Sequence, residues 1–391
     1  MVWFRRGLIA LGALALIGVI GLVSVGPGWV DARMNPVLDH PLPALRPDSA
    51  TLHKQLVIVD LHADPLLWRR DLVIGHDHGH IDLARLERGN IALQVFSSVT
   101  KTPRNQNYEN NGGDTDNITP LVMAQLQPVR TWHSLLQRSL YHAEKLDRFA
   151  ARSQGRLRVI RTRADLAALL ADRAAGRAVT GGLLSVEGLQ NLEGRLDNLD
   201  RLDQAGFRML GLAHFFDNEV AGSVHGIAKH GLTPFGRQVV AEMERRRLVI
   251  DIAHASHAAI AEVLAMATRP VVYSHGGVKG TCDNNRNLTD AEIDGVAATG
   301  GLIAIGFWDT AVCDATPAGI ARAILYVRDR VGIDHVALGS DWDGAVAAPF
   351  DAAHLAALTQ ALLDAGLSEA DLGKVMGGNA VKLFAESLPD A

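Results

Sequence analysis

Eight short apolar runs recur along the chain, and five of them end in residues that carry chemistry. The runs span 56–62, 91–96, 182–187, 207–213, 248–253, 270–275, 301–307 and 335–340. Near-continuous apolar strands separated by helical patterns predict a parallel sheet covered on both faces. Eight of them predict closure into an α/β fold, a (β/α)8 TIM barrel, whose site is built at the C-terminal strand ends. The loaded residues are His62 and Asp64, Glu187, His254, His275 and Asp341.

The intervening segments agree with this frame. AALLADRAAG, FGRQVVAEMERRR and HAAIAEVLAMA have helical spacing. Thr233-Pro234 reads as an N-cap with proline in the first turn. Asp290 sits early in a further helix that ends at glycine. One connection is long, about 97–181. It opens with the polar loop NQNYENNGGDTDN and continues in a helical stretch that Pro128 is expected to break. Its start at the strand-end side makes it a candidate lid.

The N-terminus has a character of its own. Arg5 and Arg6 precede an uncharged stretch whose apolar span covers 7–26. About 20 apolar residues cross a bilayer, and the arginines favour a cytoplasmic N-terminus. Residues 1–32 are therefore expected to be a signal-anchor. A signal peptide cleaved near Ala32 is the alternative, favoured by Pro27 and the small residues beyond it. Pro36, Pro41, Pro43 and Pro47 predict an irregular stalk over 33–50, followed by a barrel domain over 51–388. The catalytic part is expected outside the cytoplasm, membrane-attached or, after cleavage, secreted.

A net charge of −5 without a long basic run gives nucleic-acid binding no support. Cys282 and Cys313 are the two cysteines of the chain. They make neither a disulfide scaffold nor a zinc ribbon. They follow adjacent strands, and the sequence leaves their pairing open.

Nitrogen and oxygen donors without thiolate suit zinc, manganese or cobalt. His62 and Asp64, at i and i+2 of a strand, point to one face. Glu187 can bridge two cations. Asp341 closes the eighth run, which a barrel places beside the first. It is the candidate general acid/base, with Asp343 a local competitor. His214 closes the fourth run and is placed to polarise a carbonyl or hold an oxyanion. His76, Asp77, His78 and His80 form a metal-like cluster, read here as a solvated loop. His133 and His142 are read as surface residues of the insertion.

The segments VDLHAD, HIDLARLERGNIALQVFSS, SVEG, IDIAHAS, YSHGG, RNLTD, GSDWDG and GGNAVKLF, in this order, resemble the membrane dipeptidase (renal dipeptidase) family, peptidase family M19. The resemblance covers roughly 56–385. It implies a barrel of the metal-dependent hydrolase type, here with an N-terminal hydrophobic helix, acting as a zinc dipeptidase with a metal-bridging hydroxide. His62 and Asp64 would hold one zinc, His254 and His275 the other, and Glu187 both. Asp341 would be the acid/base, and His214 would contact the scissile carbonyl. Arg286 would take the terminal carboxylate of a small dipeptide, the planar guanidinium matching it bidentately. Ala63, Ala253, Trp308 and the YSHGG run depart from the family pattern and bear on substrate preference, since none removes a metal ligand. A related amidohydrolase acting on a lactam, lactone or N-acyl amino acid, and a silent metal-binding barrel, are the alternatives. A homodimer is left open.

Overall fold

The computed structural model describes residues 2–390; the side chains of most residues before Val23 lie outside what it describes. Nine strands form one parallel sheet: β1 (Ile58–Ala63), β2 (Ile91–Val99), β3 (Leu157–Val159), β4 (Thr180–Glu187), β5 (Phe207–Gly211), β6 (Val249–Asp251), β7 (Val272–Tyr273), β8 (Leu302–Ile305) and β9 (Val336–Leu338). The ring closes through β1–β9 and β2–β4. Eight strands make the barrel, and they are the eight expected apolar runs. β3 lies outside that set, pairing only with the start of β4 inside the long insertion.

Alternation explains how the strands serve two purposes. Val59, Leu61, Leu93, Val95 and Leu183 join a buried cluster with Leu383 and Phe384 of the C-terminal helix Asn379–Ser387. Each such side chain contributes about 1.5–3 kcal/mol through burial. The alternate positions Asp60, His62 and Asp64 share the other face. Asp60 there accepts from Gln94 Nε2 at 2.6 Å and from Ser340 Oγ at 2.7 Å, tying β1 to β2 and to the end of β9.

The expected caps are present. Thr233 accepts from Gly236 N at 2.9 Å ahead of Pro234. Thr289 and Glu292 form a reciprocal capping box on the helix Asp290–Ala298. In the insertion, Ile118–Ala124, Arg130–His133 and Leu135–Arg152 are separate helices, with Pro128 in the first break. His133 is exposed, as expected. His142 is not: it faces the barrel from the inner side of the long helix and bonds to Ser98 Oγ at 2.8 Å. Burial beside Lys145 and Arg138 lowers its pKa to about 3.

A helix spans Val2–Met34 and runs through Pro27. No helix among the described residues is long and apolar enough to cross a membrane. The expected apolar span, 7–26, falls mostly on side chains outside that set. The expected stalk is irregular only over 35–46, because 47–50 open the helix Pro47–Gln55. It does not stand away from the barrel. Leu38 N donates to Ala348 O at 2.8 Å, Ala348 N donates to Pro36 O at 3.2 Å, and His80 Nε2 meets Pro36 O at 3.1 Å.

Cys282 and Cys313 are bonded, with Cα atoms 5.3 Å apart, inside the range disulfides require. The link joins the loop after β7 to the loop after β8. Replacing both cysteines by serine is expected to lower the unfolding free energy by about 2–4 kcal/mol, chiefly by freeing the unfolded chain. Urea unfolding checks this, and a reductant should reproduce the loss in the parent protein.

Candidate metal centre

Six strand-end residues meet at the C-terminal mouth of the barrel, all buried. Glu187 is their hub. One of its carboxylate oxygens lies 2.8 Å from His254 Nε2, 3.2 Å from His275 Nε2 and 3.7 Å from His62 Nε2. The other lies 3.2 Å from His214 Nε2. His62 Nε2 is 3.2 Å from Asp64 and 3.8 Å from Asp341. His254 and His275 face each other nitrogen to nitrogen at 2.9 Å. Three sets of three donors come within reach of one ion each: Glu187 with His254 and His275, Glu187 with His62 and Asp64, and His62 with Asp251 and His275. The first two are the sets the sequence resemblance implies.

The electrostatics of the cluster fit cations. Burial pushes the His254 and His275 imidazoles well below the usual histidine range, toward the neutral form that ligates. Burial and the nearby Asp64 charge push Glu187 well above the usual carboxylate range. Asp341 is likewise raised by burial, and by Asp64, against the pull of His62. His62 goes the other way. Burial disfavours its charge, yet Asp64, Glu187 and Asp341 together lift it to about 10. Without cations, protons must neutralise this crowd of carboxylates; bound ions would do so instead. Asp64 Oδ1 is buried without a protein partner, a free acceptor facing the same need.

Supporting contacts hold the ligands. Asp251 accepts from Ser274 Oγ at 2.5 Å, and that hydroxyl meets His275 Nδ1 at 2.9 Å. His254 and Asp341 sit at φ +63° and +61°, left-handed positions that cost a non-glycine residue about 1–3 kcal/mol and cluster at functional sites. Asp343, the competitor for the acid/base role, is excluded by its partners. Arg70 Nη2 lies 2.8 Å away and His80 N donates at 2.7 Å. Arg70 and His80 hold it far below the usual carboxylate range against burial. His80, read as part of a solvated loop, is thus buried inside this network. His78 pairs with Asp31 at 3.3 Å.

A cavity of about 750 Å³ opens above the centre. Asp64, Glu187, His214, His254, Arg286 and Asp341 all line it. Arg286 is only 3% exposed and donates to His275 O at 3.1 Å. Its Nε and Nη1 have no protein partner. Tyr108, from the polar loop of the insertion, closes the cavity beside it: Trp308 Nε1 donates to Tyr108 Oη at 3.2 Å, and Asn285 Nδ2 donates to Tyr108 O at 2.6 Å. The insertion therefore covers the site, as a lid would. Tyr108 and Asp251 were not anticipated. The signals available were a single aromatic in a polar loop and a carboxylate inside an apolar strand.

A closed parallel barrel with a buried imidazole–carboxylate cluster at its C-terminal mouth defines a metal-dependent hydrolase. Comparison with known proteins makes this specific. The profile of the family described as membrane dipeptidase (peptidase family M19) matches residues 47–388. The chain belongs to that family and is an enzyme of its class, a metallopeptidase acting as a dipeptidase. Dipeptidase aclJ of Aspergillus oryzae is 29% identical over 84% of this chain and 78% of its own length. Dipeptidase tcpJ of Claviceps purpurea is 28% identical, covering 79% and 69%. Among solved structures, dipeptidase AC, a metallopeptidase of family M19, superposes with TM-score 0.68 at 25% identity, covering 86% and 99%. The fold is also shared with the probable dipeptidase PvdM from Pseudomonas aeruginosa, TM-score 0.73 at 20% identity, covering 88% and 98%.

Gly344 marks how tightly the centre is packed. A methyl group there would overlap the Asp341 carboxylate and approach Asp64 Oδ2 to 2.9 Å. Gly344→Ala is expected to lower kcat about 100-fold, since displacements near 1 Å cost that much. Steady-state kinetics together with an unchanged circular dichroism spectrum check it. Ion binding should also release protons, because His62 and the raised carboxylates must deprotonate. Calorimetric titration of chelator-stripped protein in two buffers of different ionisation enthalpy measures that release.

Proposed function

We propose that this enzyme is a zinc-dependent dipeptidase with two ions, one on His62 and Asp64, one on His254 and His275, and Glu187 on both. The observation that carries the substrate assignment is Arg286. A buried guanidinium with two unsatisfied nitrogens opens into the same cavity as the metal ligands. It calls for a carboxylate, and the fork geometry suits one bidentately.

When bound, the ions supply an activated water and polarise the scissile carbonyl. The rest is done by the chain. Arg286 fixes the free carboxylate, which limits substrates to short peptides and sets the peptide bond over the cluster. His214, kept neutral by burial, offers a ring nitrogen to the carbonyl oxygen as charge develops. Asp341 takes the proton of the attacking water and passes it to the departing amine. A carboxylate beside the cluster and open to the cavity suits both halves of that transfer. The insertion and Tyr108 limit bulk water above these groups.

Export completes the proposal. Arg5, Arg6 and the uncharged run after them favour a membrane-held N-terminus with the barrel outside the cytoplasm, and the Cys282–Cys313 bond suits an oxidising compartment.

The test is metal content together with hydrolysis of L-L and L-D dipeptides by protein purified without chelator. Two zinc per chain and release of free amino acids are expected. Asp341→Asn should keep the zinc and lose about 10²–10⁴ in kcat; full activity in that variant would overturn the mechanism. Two ions without dipeptide turnover would favour a lactam or N-acyl amino acid substrate.

A further inference from the structure

The cavity has two unlike sides. Over β5 to β8 stand Phe215, Arg286 and Trp308, with Tyr108 reaching across from the insertion. Over the contiguous arc β9–β1–β2, above Asp64 and Asp341 of the cluster, Thr102, Gln106 and Asn117 share the lining with an apolar patch of Leu67, Ile118, Leu121 and Val346, joined by Val30 and Met34 from the end of the N-terminal helix. Val30 and Leu121 pack against the buried cluster of Leu67, Trp68, Val99, Ile118 and Val122.

The helix end is fixed in this position. Asp31 is 1% exposed and pairs with Arg70 at 2.9 Å, and Arg70 continues to Asp343. Asn35 Nδ2 donates to Asp31 at 2.8 Å, while Ala345 N donates to Asn35 Oδ1 at 2.9 Å. A buried, polar clamp thus joins the helix to the loop that carries Asp341. An ion pair this deeply desolvated is strongly destabilising when broken, so the wall is a built part of the site.

Polarity along the cavity then assigns its ends. With the carboxylate on Arg286 and the scissile bond over the cluster, the acyl side of the substrate points toward the apolar arc. The acidic residues lining the cavity are Asp64, Glu187 and Asp341, all in the cluster. Apart from Asp64 and Asp341 in the cluster, the arc offers no carboxylate to a substrate ammonium.

We propose that Val30, Met34, Leu67, Ile118, Leu121 and Val346 form a subsite for a large apolar group on the acyl side of the substrate. The N-terminal helix is thereby a specificity element. This rests on the dipeptidase reading above. Two sources share the required chemistry: a bulky hydrophobic N-terminal residue, or a fatty acyl chain on a single amino acid.

The experiment uses the full chain, zinc-loaded in mild detergent, with three substrates of equal carboxylate end: Ala-Ala, Phe-Ala and N-dodecanoyl-alanine. We expect kcat/KM for at least one of the larger two to exceed that for Ala-Ala about tenfold or more. Whichever leads identifies the source. Val30→Trp, which fills the arc, and Val30→Asp, which charges it, should each cut that ratio about tenfold, with zinc content and circular dichroism verifying the fold. Ala-Ala cleaved as well as the larger substrates, or a ratio untouched by both variants, would overturn the subsite and leave the dipeptidase reading standing. Hydrolysis of none of the three would overturn both.

Discussion

The demand of buried carboxylates for positive charge governs this molecule. Glu187 lies in the barrel mouth with four imidazoles around it and Asp64 and Asp341 close by. Groups so desolvated are costly unless paired. Protons on His62 and the carboxylates meet the demand in part; two cations would meet it fully. Everything nearby follows from keeping these donors at the distances such ions require.

The barrel supplies those distances through its connectivity. The six clustered residues come from the ends of five strands, and no local segment could bring them together. Behind them, Asp251 with Ser274 orients His275, while Asp60 with Gln94 and Ser340 braces β1 against β2 and the β9 end. The left-handed backbone at His254 and Asp341 is held by this surrounding structure.

Above the cluster, the insertion and the end of the N-terminal helix wall the cavity from opposite sides. The loop bearing Tyr108 closes over Arg286, and the helix end, locked by Asp31, Arg70 and Asp343, closes the opposite side. Asp343 illustrates the division of labour two residues from Asp341. Engaged by Arg70 and His80, it serves architecture, whereas Asp341 faces His62 and the cavity.

The sequence by itself determined the barrel strands and the strand-end residues that cluster at the barrel mouth. Short apolar runs and strand-end placement are local patterns, so His62, Asp64, Glu187, His254, His275 and Asp341 could be read directly. His214 was legible as the residue closing the fourth run, and Arg286 through the family resemblance. Tertiary structure decided what depends on distant partners. It bonded Cys282 to Cys313, buried His80 and His142, took Asp343 out of the chemistry, and brought Tyr108 over the site. It also bound residues 31–38 to the loop after β9 and to the segment after β1, contacts that the prolines of 33–50 do not reveal. Each of these outcomes turns on a contact between residues far apart in the chain, such as Asp31 with Arg70, and such contacts exist only once the barrel has closed.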